Sequence, residues 1–264
     1  MDVPRYLERL RYDGSLEPSV ATLRALHRAH MSTIPFESID VYLGRPIDLA
    51  TDALFEKLVV AKRGGFCYEL NGLFAELLRA LRFDVTLLNA EVAREEGGFG
   101  PPFDHLALLV RVDGRWLADV GFGRSSLEPL RIDTEESQLC AGGEYRIRAD
   151  GERRVVSARN GDAWNALYRF DLTPRRTGEF LAMCGFHATS PDSPFHAWLG
   201  CTLSTPDGRL TLSDDKLIER RGDERFETTI APEDIAPLLA SRFGITVDHD
   251  WSGKVGAAVR STEA

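Results

Sequence analysis

The chain has 264 residues, 43% of them hydrophobic, and a formal net charge of −9. That length allows a sizeable core and two or three subdomains, and the composition excludes a disordered chain. The acidic balance argues against a general nucleic-acid binder, since nothing would offset phosphate repulsion, but it leaves room for a local basic patch that holds a small anion.

No apolar run approaches transmembrane length, and Met1-Asp2-Val3-Pro4-Arg5 leads into charged sequence rather than a signal core. A cytoplasmic location is therefore expected. Cys67, Cys140, Cys184 and Cys201 form no C-x-x-C pair, so no metal site is expected and the thiols should be reduced.

Residues 4–82 read mostly as helix. Tyr6, Leu7, Leu10 and Tyr12 form a short apolar face, and residues 18–30 carry a second stripe of Val20, Leu23, Leu26 and His27. Ile34-Pro35-Phe36-Glu37-Ser38 breaks the pattern, because proline disfavours helix at the residue before it. A third helix begins near residue 51, capped by Thr51 or Asp52. Next comes Arg63-Gly64-Gly65-Phe66-Cys67-Tyr68-Glu69-Leu70-Asn71, after which Leu73, Phe74, Leu77, Leu78 and Leu81 continue one helix face from Leu70. Cys67 thus sits where a loop becomes a helix. Gly64 and Gly65 permit a sharp entry, and the unpaired N–H groups and dipole of a helix start favour a thiolate. Gly72 inside the run suggests that another backbone comes close.

Beyond Phe83 the period changes. Residues 85–88 and 90–92 look like strand, and 94–102 form a loop rich in glycine and proline. Residues 105–112 and 115–120, joined by Asp113-Gly114, read as a hairpin. Strands at 144–149, 153–158 and 164–172 extend an antiparallel sheet that could close as a barrel. Residues 177–188 read as helix and Ser193-Pro194-Phe195-His196 as loop. Strands follow at 201–205, 209–213, 216–220 and 226–230, then a last helix from Ala231-Pro232 that Gly244 ends. The tail beyond Trp251 reads as mobile.

A thiol nucleophile needs a base within reach, and the base needs an orienting partner. His105, at the mouth of a strand, is the best placed of six histidines, and Asp119 near the end of the next strand could hold it. Register supports this only in part. A two-residue Asp113-Gly114 turn sets Asp119 opposite Leu108, on the face away from His105. A three-residue turn sets it opposite Leu109, on the right face but too distant at about 3.3 Å per residue. A bulge or a different pairing is needed, and Asp104 is a rival carboxylate.

Four segments resemble the arylamine N-acetyltransferase family. Arg63 to Asn71 is similar to its active-site cysteine motif, and Ile34-Pro35-Phe36-Glu37 to its N-terminal motif. Pro102-Phe103-Asp104-His105-Leu106-Ala107-Leu108-Leu109-Val110 resembles its histidine segment, and Trp116-Leu117-Ala118-Asp119-Val120-Gly121-Phe122-Gly123 its aspartate segment. The order is the family's, over about residues 5–130, and Ser193-Pro194-Phe195-His196 is a weaker match beyond it. The spacing from His105 to Asp119 is short for the family and implies a compact hairpin.

The resemblance implies an α+β fold: a helical bundle over 1–82, an antiparallel β-barrel over 83–185 and an α/β lid over 186–264, around a cysteine-protease-like Cys-His-Asp core. It implies Cys67 as nucleophile, His105 as base and Asp119 as its orienter. Phe36, Phe122 and Phe195 would line an acceptor pocket, and Gly121 and Gly123 would belong to the turn near bound coenzyme A. Acetyl-CoA would be the cosubstrate, with no metal, and the acetyl group would pass through cysteine to an arylamine or arylhydrazine. The protein would act as a monomer or homodimer, with no nucleic-acid or membrane partner. The same residue types would also serve a thiol hydrolase, a transglutaminase-like enzyme or an amide synthase of macrolactam biosynthesis. Acetyl-CoA turnover with a simple aniline separates these.

Overall fold

The computed structural model describes residues 1–251 apart from 197, 223 and 250. The expected mobile tail lies outside the described residues.

Helix α1 (Val3–Leu10) starts at Asp2, whose side chain accepts from the Arg5 N–H at 3.1 Å, and α2 (Val20–Thr33) starts at Ser19, which accepts from Thr22 N–H at 3.1 Å. The Pro35 break passes into β1 (Phe36–Glu37) and the single turn α3 (Ile39–Tyr42). Sequence periodicity shows neither, because each spans only about one repeat of its pattern, 2 residues in the strand and 4 in the helix. Helix α4 (Thr51–Phe55) runs on into a π turn, Glu56–Val60. Its cap is Ala50, not Thr51 or Asp52: both of those already lie inside the first turn, and no side chain caps it.

Helix α5 (Cys67–Ala80) is the centre of the bundle. Leu70, Leu73, Phe74, Leu77 and Leu78 are all fully buried, against Tyr6, Leu10, Leu23, Leu26, Leu54 and Leu58. Gly72 meets a side chain rather than a backbone: a Cβ there would lie 3.4 Å from Leu54 Cδ1.

Strands β2 (Asp84–Val92), β3 (His105–Arg111), β4 (Arg115–Ala118), β5 (Leu130–Arg131), β6 (Gln138–Cys140), β7 (Gly143–Asp150), β8 (Arg153–Asn160) and β9 (Ala163–Phe170) form one antiparallel sheet in the order β5-β4-β3-β2-β9-β8-β7-β6. It curls almost to closure. At the seam, the Gln138 side-chain amide donates to Arg131 O at 2.9 Å and accepts from Arg131 N–H at 2.7 Å, standing in for a ladder between β5 and β6. Strand β3 is buried on both faces. Leu106, Leu108 and Val110 pack into the bundle core, while Ala107 and Leu109 join the barrel interior with Leu88, Leu117, Tyr168 and Phe170. This alternation decides where His105 and Asp119 point.

A 3-10 turn, Thr177–Phe180, leads into α6 (Leu181–Thr189), whose Cys184 and Ala188 pack onto the bundle. Strands β10 (Gly200–Thr205), β11 (Gly208–Ser213), β12 (Lys216–Arg221) and β13 (Glu224–Thr229) form a second antiparallel sheet, with β1 on the outer side of β10. Helix α7 (Pro232–Leu238) and a π turn, Leu239–Phe243, cover it, and Gly244 closes the turn at φ 67°. The sheet and its cover share a core of Leu199, Cys201, Leu212, Ile235 and Phe243.

Candidate active site

Cys67 is the first residue of α5, preceded by Phe66 in extended conformation. Glu69 reaches back one turn and accepts from Phe66 N–H at 3.1 Å, closing the helix start. Gly64 and Gly65 are not in the left-handed region. Their small size is what matters, since a Cβ at Gly64 would lie 2.2 Å from Pro35 O, and one at Gly65 2.7 Å from Glu69 Oε2. The segment before Cys67 is therefore threaded between β1 and its own helix, with Glu37 N–H donating to Gly65 O at 2.9 Å.

A buried ionic network fixes this threading. Arg63 donates to Glu37 Oε1 at 2.7 and 3.0 Å and to Asp40 Oδ1 at 3.1 Å. Lys57 Nζ lies 2.7 Å from both Asp40 Oδ2 and Glu69 Oε1. Burial opposes the charge on Lys57, but Glu69, Glu37 and Asp40 outweigh it and raise its pKa. Breaking one member would strand the others, which makes the network costly to disturb.

His105 is the first residue of β3, and its Nε2 donates to Asp119 Oδ2 at 2.9 Å. The Cys67 thiol is its other hydrogen-bonding neighbour. Burial works against a charged imidazole here, but Asp119 outweighs it, with Cys67 adding, and the His105 pKa is raised to about 10. Asp119 is held as the carboxylate: burial would raise its pKa, but His105, Asn71 and Tyr168 bring it below the usual range.

The hairpin register differs from both expectations. Arg111 pairs with Arg115 across a three-residue connection of Val112, Asp113 and Gly114, so Leu109 faces Leu117 and Leu108 faces Ala118. Continued past the end of β4, this register sets Asp119 opposite Ala107, two residues from His105 and on its face. No bulge is needed, because two side chains easily cover that offset. Asp104 has the opposite parity and a different partner, accepting from His187 Nε2 at 3.0 Å and from Val92 N–H at 3.3 Å.

Three residues that sequence reasoning gave no role hold Asp119. Asn71, one turn along α5 from Cys67, donates to Asp119 Oδ1 at 2.8 Å and to Leu106 O at 2.7 Å, and accepts from Val120 N–H at 2.9 Å. Tyr168 hydrogen-bonds the same carboxylate from β9. His27 accepts from Asp119 N–H at 3.1 Å and donates to Leu127 O at 3.0 Å, so it is neutral. Burial lowers its pKa to about 4, against the pull of Leu127 O and Asp119. Asn71 ends the Arg63-to-Asn71 cysteine motif, and His27 lies on the apolar stripe of α2. Tyr168 carried no signal.

Gly121 N–H also donates to Asp119 Oδ1, at 3.0 Å, and a Cβ on Gly121 would lie 2.7 Å from Cys67 Cα. Gly123 has no such constraint, its nearest neighbour being Thr202 at 3.9 Å. The Phe122 ring stacks edge-on at 5.3 Å from His105 and 5.2 Å from Tyr168. Phe195 packs 5.9 Å from Phe66 and 6.2 Å from Phe36. Phe36 and Phe122 share the walls of one narrow cleft with Gly123, Val120, Thr202 and Ser204. All the site residues expected from sequence thus gather at one junction of bundle, barrel and second sheet. Cys67, His105 and Asp119 are 4%, 1% and 3% exposed, so the thiol and its partners are shielded from bulk water.

The fold and this junction define an α+β protein with a buried Cys-His-Asp constellation at a helix start. Residues 19–252 match the N-acetyltransferase family model, and the chain belongs to the arylamine N-acetyltransferase family. It is 38% identical to the Salmonella typhimurium arylamine N-acetyltransferase / N-hydroxyarylamine O-acetyltransferase, covering 98% of this chain and 94% of that one. It is 36% identical to the Escherichia coli arylamine N-acetyltransferase, over 94% and 90%. The structure of Mycobacterium marinum arylamine N-acetyltransferase in complex with CoA superposes with a TM-score of 0.88 at 33% identity, over 92% and 93%.

Proposed function

We propose that this enzyme moves the acetyl group of acetyl-CoA to arylamines or arylhydrazines by way of an acetyl-Cys67 intermediate. The observation that carries the reading is His105, buried between the Cys67 thiol and the Asp119 carboxylate. In the first half, Cys67 Sγ attacks the thioester carbonyl, the C–S bond to coenzyme A breaks, and the proton from Cys67 passes through His105 to the departing thiolate. In the second, the amine nitrogen attacks acetyl-Cys67, His105 takes an amine proton, and the C–S bond to Cys67 breaks as the amide forms. Asp119 keeps the imidazole oriented and stabilises its charged form. Phe36, Phe122 and Phe195 would hold an aromatic acceptor by area and stacking and keep water from the intermediate.

An arylamine's nitrogen lone pair is delocalised into the ring, so the amine is neutral near pH 7 and able to attack. The relation to coenzyme A-binding and arylamine-acetylating relatives supports both substrates. Turnover of acetyl-CoA with aniline tests the reading. Acetanilide made by the wild type and not by Cys67→Ala is the expected result. Hydrolysis of acetyl-CoA at one rate with or without aniline, and no acetanilide, would mark a thiol hydrolase instead.

A further inference from the structure

The second sheet carries a row of arginines. Register places Arg209 opposite Arg220, and Arg220 opposite Arg225. Directly opposed residues share a face, so all three side chains leave the same side of the sheet. On that side, Phe36 stands opposite Thr202 and Ser204 opposite Arg209. Phe36, Thr202 and Ser204 are walls of the cleft that Phe122 and Gly123 close from the other side. The arginine row is the outward continuation of a wall of the active-site cleft.

Arg124 comes to the row from the barrel side. Its guanidinium lies 5.8 Å from the centre of the Phe122 ring, which in turn packs on His105. Arg209 Nη2 donates to Ser125 O at 3.2 Å, joining the 121–126 turn to the row.

These charges are poorly compensated. Like charges directly opposite each other destabilise a sheet. Arg225 pairs with Glu227, but among the described residues no carboxylate contacts Arg124, Arg209 or Arg220. Arg209 Nε is buried with no hydrogen-bond partner, a cost a native structure rarely carries without use. In a chain of net charge −9, such a cluster draws a small anion to one place.

We propose that Arg124, Arg209 and Arg220 form the subsite for the phosphates of the coenzyme A acyl donor. Guanidinium forks match phosphate oxygens, and the planar Arg209 has a donor free for one. The cleft between Phe122 and the Thr202–Ser204 wall leads from this row towards Cys67 and His105, and at about 10 Å³ it must widen to pass a pantetheine arm that brings the thioester to them. This rests on the reading of acetyl-CoA as donor.

Two donors separate the possibilities: acetyl-CoA, and p-nitrophenyl acetate, an activated ester without phosphate. Arg220→Ala is the main variant because the side chain is exposed, with Arg124→Ala beside it and Arg209→Lys keeping charge but losing the fork. Each should lower the ratio of kcat/KM for acetyl-CoA to that for p-nitrophenyl acetate, by roughly tenfold for loss of one charge-assisted bond. Each should also flatten the rise of KM for acetyl-CoA with salt. An unchanged ratio in folded variants overturns the subsite. So does a rise in KM for 4-aminobenzoate with none for acetyl-CoA, which would give the arginines to an acceptor carboxylate. A wild type that takes p-nitrophenyl acetate but never acetyl-CoA would instead overturn the donor reading itself.

Discussion

Asp119 donates its backbone N–H to His27 and offers its carboxylate to His105, so two histidines of opposite character grip one residue. His27 accepts, at 3.1 Å, and is neutral; His105 donates, at 2.9 Å, and is held towards the charged form. The same aspartate is thereby fixed in position and kept ionised.

Asp119→Asn tests the second grip. Asn71 and Gly121 both donate to Oδ1, so an amide there can present oxygen to them only by turning nitrogen towards His105, which forces the wrong tautomer. Acetyl transfer should fall by roughly three to four orders of magnitude, with far-UV circular dichroism unchanged. A folded variant with near-wild-type turnover would remove Asp119 from the reaction.

Gly121 and Gly123 should respond differently to a single methyl group. Gly121→Ala drives a Cβ to 2.7 Å from Cys67 Cα and from Asn71 Nδ2, where backbone must give way. A melting temperature lower by several degrees and slow acetylation of Cys67 are expected. Gly123→Ala meets only ordinary contact with Thr202 and should melt close to wild type. Equal effects at both positions would show that the turn is not pressed onto α5 as described.

Thiol reactivity should single out Cys67. Burial pushes the Cys184 thiol up to about 12, with Cys67 and Glu69 adding, and burial also raises Cys140 and Cys201. Cys67 alone has a histidine as a hydrogen-bonding neighbour. Iodoacetamide at pH 6 followed by peptide mapping should label Cys67 well before the rest. Comparable labelling of any other cysteine would contradict this.

Stability should depend on pH in two limbs of known sign. The His105 pKa is raised from 6.5 to about 10, so its contribution is complete below 6.5 and is lost as pH rises through about 10. The His27 pKa is lowered from 6.5 to about 4, so its contribution is present above 6.5 and is lost as pH falls towards 4. Asp119, with its pKa lowered, adds a further loss only below 3.8. Urea titrations from pH 4 to 10 should therefore peak near neutrality, and Asp119→Asn should flatten the alkaline limb. An alkaline limb unchanged in that variant would refute the assigned pairing.

Much of this was legible in the sequence, and the reasons differ by element. Helix α5 was readable because its apolar residues repeat with one period from Leu70 to Leu78, and β7 to β13 because glycine-containing turns separate most of them. Strands β1, β5 and β6, of two or three residues, are too short to show a period and exist only through their partners. The observed hairpin register is neither of the two that the sequence suggests: Asp113-Gly114 marks the turn, but nothing in the sequence shows that Val112 leaves the ladder and Arg111 pairs with Arg115. Asn71 and Tyr168 were missed because their role depends on where Asp119 arrives in space. The roles of Gly64 and Gly65 were half right, since crowding by Pro35 and Glu69 rather than backbone conformation requires them.

The most direct test of the central claim is the mass of the intact protein after mixing with acetyl-CoA alone. The account predicts a burst of about one equivalent of coenzyme A and a single acetyl adduct on Cys67, discharged by aniline and absent in Cys67→Ala. Acetanilide formation by a wild type that shows neither burst nor adduct would contradict it, and would mean that the acetyl group passes directly between substrates in a ternary complex.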